Sequence, residues 1–177
     1  LDRYDEVIEA YLSGLEKRVH EQKSIAHIAS VASFFLSRID VAVDPLTPSD
    51  SPIRGQTAIA CAKLAYQKYK TSIRSKRFET LKLHGAKSQR LLWASTSTKN
   101  NSDSDVKYIE ALIGPETINT VPLKTLVAYR DHGQPSARLE KNVDQASRTL
   151  HDLEKSGIDL KKITKQLEDE GVQKFNK

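Results

Sequence analysis

The sequence has no methionine and only one cysteine, Cys61, among its 177 residues. A single cysteine excludes an intramolecular disulfide and makes a reducing compartment the default expectation. No apolar run approaches the roughly 20 residues that a membrane-spanning helix needs, and no signal-peptide pattern is visible. No block of Lys or Arg is present either. The 28 basic residues are interleaved with 23 acidic ones, and the net charge of +5 is mild. With no aromatic–basic platform, nucleic acid is not an expected partner, and neither is a membrane. The histidines, His20, His27, His84, His132 and His151, share no metal-ligand spacing, and no second cysteine joins them, so no metal site is expected from them. Lacking methionine and starting at Leu1, the sequence runs straight into a helical pattern. It is expected to be a piece of a longer chain.

What is present suits one soluble domain. Hydrophobic residues make up 38% and charged residues 29%, enough for a core and a solvated surface. Tyr4, Val7, Ile8, Tyr11, Leu12 and Leu15 recur at helical spacing, which predicts a helix from an Asp2 N-cap to about His20. Residues 25–32 are apolar on both faces and read as a buried parallel strand containing His27. From Ser33 the pattern turns helical through Asp40, with Phe35, Ile39 and Val43 inward. Three prolines make 44–52 a loop. A long helix follows from Gly55 to about Tyr69, where Cys61 reads as a small packing residue. A shorter one, Phe78 to Leu83, stops at Gly85.

The most informative stretch is Arg90-Leu91-Leu92-Trp93-Ala94-Ser95-Thr96-Ser97-Thr98-Lys99-Asn100. Its apolar run is too short for a helix and gives way at once to hydroxyls, a lysine and an amide. A buried parallel strand with a site at its C-terminal end has this form. Ser95 and Thr96 offer hydroxyls and Lys99 a positive charge, which suits a phosphate or another small anion. The plainer alternative is a strand followed by a solvated polar loop. Ser33, at an expected helix start, and Arg38, in its second turn, would face the same anion. In isolation, Arg38 pairing with Asp40 or another acid is the competing account.

Beyond a polar loop, Asn100 to Asp105, a short helix (Val106 to Ile113) ends at Gly114-Pro115. Thr117 to Val121 reads as a third strand, and Leu123 to Tyr129 as a helix. From Ala137, Leu139, Val143, Ala146, Leu150 and Leu153 form one core stripe of a further helix. Gly157 ends it, and Asp159 caps a last helix burying Ile163 and Leu167. Short apolar strands alternating with helices indicate an α/β fold of parallel βα units. Three strands are too few to close a barrel.

Several stretches resemble the transaldolase family in collinear order over nearly the whole chain. Ile28 to Asp40 is similar to its sixth strand and following helix. Gly55 to Tyr66 is similar to the next long helix, Leu92 to Asn100 to its seventh strand, and Thr117 to Pro122 to its eighth. The resemblance implies a partial (β/α)8 TIM barrel covering about strands 6 to 8, with residues 1–177 as the C-terminal portion of one barrel domain. It implies transfer of a dihydroxyacetone unit between sugar phosphates in the pentose phosphate pathway, through a lysine Schiff base, without cofactor or metal. Expected substrates are sedoheptulose 7-phosphate, fructose 6-phosphate, glyceraldehyde 3-phosphate and erythrose 4-phosphate. Matched to the family's phosphate-binding residues are Ser33, Arg38, Ser95 and Lys99.

The family's Schiff-base lysine, on its fourth strand, has no counterpart here, nor has its Thr-Ser-Asn-Pro type segment. Lys99 lies in a loop, where a lysine stays charged and is a poor nucleophile. No catalytic residue is therefore assigned, and the chain by itself is expected to be inactive and, with two open sheet edges, poorly stable. Lys177 falls short of the family's final helix end. Localisation is expected to be cytoplasmic, or plastid if a transit peptide precedes Leu1. Two alternatives stand beside this: a non-catalytic helical binding or scaffold module, and a related class I aldolase that cleaves without transfer.

Overall fold

In the computed structural model, residues 1–100 and 102–175 are described. Asn101, within the expected polar loop, and Lys177, at the expected chain end, lie outside the described residues. Three parallel strands form one sheet in the order β1 (Val31–Phe35), β2 (Arg90–Ala94), β3 (Thr117–Asn119). Val31 pairs with Arg90, and Leu91 with Thr117. Eight α-helices accompany the sheet among the described residues. The order is α1 (Asp2–His20), α2 (Ser37–Val43), α3 (Thr57–Ile73), α4 (Lys76–Leu83), α5 (Lys107–Ala111), α6 (Leu123–His132), α7 (Val143–Lys155) and α8 (Leu160–Phe175). This is the expected α/β alternation.

The sheet has a covered face and an open one. Side chains alternate along a strand, so the register sorts them. Ala32, Leu91 and Trp93 are buried beneath the helices, and Phe34 meets Trp93 edge-on with ring centroids 6.0 Å apart. On the other face Val31 and Phe35 are 40% and 46% exposed. The main core joins the covered face to α2, α3 and α7 through Leu36, Val43, Ala62, Tyr66 and Leu153. The alanines of α3 let it lie flat against this layer. Cys61 is buried among them, and burial pushes its thiol up to about 12, which leaves it a packing group.

Five expectations are corrected. The first strand lies at 31–35, not 25–32. Ile25 is buried in a second, smaller core with Leu12, Leu15, Phe78 and Leu81, and Ile28 N–H closes a turn onto its carbonyl at 3.1 Å. The apolar character of 25–29 thus anchors a turn, and His27 is exposed in it. Consequently Ser33 and Phe35 are strand residues on the open face, and α2 begins only at Ser37.

The last core stripe is helical only from Val143. Residues 133–142 are irregular, yet Leu139 is fully buried within them. Lys63, itself buried in α3, donates to the carbonyls of Arg138 at 2.8 Å and Lys141 at 2.5 Å, supplying partners that a helix would otherwise provide. At the N-terminus Leu1 occupies the cap position, and Asp2 is the first helical residue. Strand β3 stops at Asn119, two residues before the expected end.

Candidate anion site at the strand ends

The C-terminal ends of the strands form a hydrogen-bonded rim. Leu36 N–H donates to the carbonyl of Ala94 at 3.0 Å and Ser37 N–H to that of Ser95 at 3.1 Å, extending the β1–β2 ladder beyond both strands. On the other side Thr120 donates to the carbonyl of Trp93 from its N–H at 2.9 Å and from its hydroxyl at 3.1 Å. Thr96, fully buried, donates its hydroxyl to the carbonyl of Thr120 at 3.3 Å. Its hydroxyl is therefore engaged inside the rim and does not face a ligand, contrary to the sequence reading.

The four expected residues divide by position. Ser95 has φ +53°, a left-handed conformation uncommon for a residue with a side chain. That turn aims its carbonyl at Ser37 and so brings the start of α2 against the end of β2. Arg38 follows directly, exposed, with its guanidinium 5.2 Å from the centre of the Phe35 ring. The cation–π contact parks the charge over the open face. Ser33 lies on that same face, two residues earlier in β1, exposed. Lys99 is exposed in the loop after β2 and donates to the Ser97 hydroxyl at 3.0 Å. The ladder extension thus joins Arg38 and Ser95, and Lys99 belongs to the same strand-end loop.

Arg38 does not pair with Asp40. Asp40 is 3% exposed and turned the other way, into the protein. Its Oδ1 accepts from the Ala58 N–H at 2.8 Å, and its Oδ2 from the Tyr108 hydroxyl at 2.7 Å. The Lys107 ammonium stands 3.7 Å from Oδ2 and makes a closer pair, 2.9 Å, with Asp103. Burial raises the Asp40 carboxyl above its ordinary range, against the lowering effect of these hydrogen bonds and of Lys107. Burial beside a carboxylate likewise raises the Tyr108 phenol. Gly55 completes the surroundings. Its φ is +68°, its N–H donates to Asp44 Oδ1 at 2.7 Å, and an added Cβ would lie 2.7 Å from the Lys107 ammonium. Sequence reading missed this buried network. Asp40 and Tyr108 are 68 positions apart, and nothing local marks them as partners. Among the described residues, no group of three or more His, Cys, Asp or Glu side chains is arranged to hold a metal ion. Among the same described residues, no helix is long and apolar enough to cross a membrane.

Comparison with known proteins decides the family. The family described as Transaldolase/Fructose-6-phosphate aldolase matches residues 1–177. This chain belongs to it. The chain is 47% identical to a transaldolase of Thiobacillus denitrificans over 174 residues, covering 96% of this chain and 48% of that protein. It is 48% identical to "Transaldolase 2" of Nostoc punctiforme over 182 residues, covering 94% and 48%. With the transaldolase of Frankia alni it shares 43% identity over 181 residues, covering 99% and 49%. The chain spans about half the length of the curated relatives it matches.

Proposed function

We propose that residues 1–177 are the C-terminal portion of a (β/α)8 barrel, about strands 6 to 8, in a transaldolase of the pentose phosphate pathway. The whole protein transfers a dihydroxyacetone unit between sugar phosphates through a lysine Schiff base formed outside this chain. In this reading the chain supplies the phosphate-binding side: Arg38 as a two-pronged donor, Ser95 and Ser33 as hydroxyl donors, and Lys99 as a second charge. The substrates are those expected from the family, acting in the cytoplasm. The observation that carries the proposal is the bond from Ser37 N–H to the Ser95 carbonyl, which seats the Arg38 segment against the end of β2. The open face and the two sheet edges support the partial-barrel reading, as does the half-length match to the relatives.

The relatives' names favour transfer over simple aldol cleavage, although the family's description includes both. Family membership weighs against the helical scaffold alternative. In the whole protein, Arg38→Ala should raise KM for fructose 6-phosphate by roughly 10- to 100-fold and change kcat far less. Loss of a charged phosphate contact typically costs about 1.5–3 kcal/mol. An unchanged KM takes Arg38 out of the site.

A further inference from the structure

The two cations of the candidate site are carried by separate segments. Arg38 is on α2, after β1, and Lys99 is on the loop that runs from β2 to α5. Both are exposed and long, so each loses side-chain freedom when it converges on an anion. That loss grows if the segments also move relative to each other. Their relative position is therefore worth fixing.

Behind the rim they are joined by side chains. Asp40 lies two residues after Arg38 on the same helix, and its Oδ2 accepts from the Tyr108 hydroxyl on α5 at 2.7 Å. Lys107, next to Tyr108, pairs with Asp103 at 2.9 Å, and the Asp103 N–H donates to the carbonyl of Asn100, the neighbour of Lys99, at 3.2 Å. The path thus runs from the helix of Arg38 to the loop of Lys99 through directed bonds. The other oxygen of Asp40 holds the first turn of α3 through Ala58 N–H. An apolar side chain at position 40 would fill this space without the cost of burying a carboxylate. What a carboxylate adds is direction: two oxygens with fixed partners set both the rotation of α2 and its distance from α5.

We infer that Asp40 and Tyr108 are positioning residues that hold Arg38 and the Lys99 loop in register, so that the pair governs how tightly phosphate binds. This rests on the phosphate-site reading of Arg38, Ser95 and Lys99. Neither Asp40 nor Tyr108 touches the ligand in this arrangement; both act through the helix and the loop that they join.

The test uses the whole protein that carries this chain, with inorganic phosphate as a competitive inhibitor against fructose 6-phosphate. The inhibition constant, kcat and Tm are measured for Arg38→Ala, Tyr108→Phe, Asp40→Asn and the double variant Arg38→Ala/Tyr108→Phe. Tyr108→Phe removes one hydroxyl and keeps the ring, so it reports even if Asp40→Asn does not fold. It should raise the phosphate inhibition constant about five-fold, the scale of coupling through intermediary residues. The double variant should bind phosphate no more weakly than Arg38→Ala, because Tyr108 acts through a group already removed. A residue with only a structural role would lower Tm and leave the inhibition constant alone. If Arg38→Ala weakens phosphate and Tyr108→Phe does not, the positioning inference is overturned and the phosphate site stands. If Arg38→Ala itself changes nothing, the site reading fails and takes this inference with it.

Discussion

Among the charge networks that tie helices together in the described residues, two sit in opposite surroundings. The Asp40–Tyr108 pair is buried behind the strand ends, with the partly buried Lys107 beside it. The other joins α4 to α1 on the outside: Arg77 reaches Glu16 at 2.6 Å and Glu9 at 2.5 Å, and its guanidinium also donates to the Ser13 hydroxyl at 3.0 Å. Burial is the dominant influence on Asp40 and raises its carboxyl. Hydrogen bonding to Arg77 is the dominant influence on Glu9, whose carboxyl it lowers to about 2, and on Glu16, which is lowered as well. The outer network is favourable but screened, and water can replace each bond. The inner one is costly to form and more costly to break in half. Such a group fixes geometry more than it adds stability.

The largest effect should come from breaking the inner network unevenly. Asp40→Ala strands the Tyr108 hydroxyl, the Ala58 N–H and a neighbouring ammonium, and should cost about 3–5 kcal/mol by denaturant unfolding of the whole protein. A loss below about 1 kcal/mol would mean that water or Asp103 takes over these partners. Next comes Gly55→Ala, which places a methyl group 2.7 Å from the Lys107 ammonium at φ +68°. It should cost about 1–3 kcal/mol, with the lysine end displaced from Asp40. A cost of only about 1 kcal/mol, the strain of the left-handed backbone alone, would show that Lys107 yields freely and contributes little to the clamp.

The smallest effect belongs to Arg77→Ala, and its sign with pH separates the two networks. A carboxyl lowered by folding contributes stability above its ordinary value, 4.5 for Glu9, and loses it as pH falls toward about 2. Asp40, raised from 3.8, works the other way: protonation relieves its burial, so its cost fades as pH drops through the raised value. Arg77→Ala should thus flatten the acid-side fall of Tm and lose most of its effect in about 1 M salt. A variant curve parallel to that of the parent, or an effect that persists in salt, contradicts the surface reading.

Much of this architecture was legible from periodicity. The helix over 2–20, the long α3 and the strand at 90–94 follow directly from apolar spacing and from the change to hydroxyls at Ser95. The two largest errors, the first strand and the last core stripe, share one cause. Ile25 and Leu139 are buried apolar residues in irregular segments, and burial alone does not say which backbone delivers it. Ile25 seals a side core, while Leu139 plugs the main one from a loop whose carbonyls are held by Lys63. The site residues could be nominated from type and resemblance, since their chemistry is local. Asp40 could not be separated from an ordinary surface acid, because its meaning comes from Tyr108, far along the chain.

The left-handed backbone at Ser95 bears on how substitutions there are to be interpreted. Replacements at this position will rank by backbone chirality before they rank by chemistry. Gly, Asn and Asp tolerate the conformation, whereas Val, Ile and Thr resist it, whatever their side chains do for a ligand. Alanine is then a misleading reference, because it removes the hydroxyl and keeps the strain. Glycine removes both, so the difference between the two substitutions isolates what the turn costs from what the oxygen contributes.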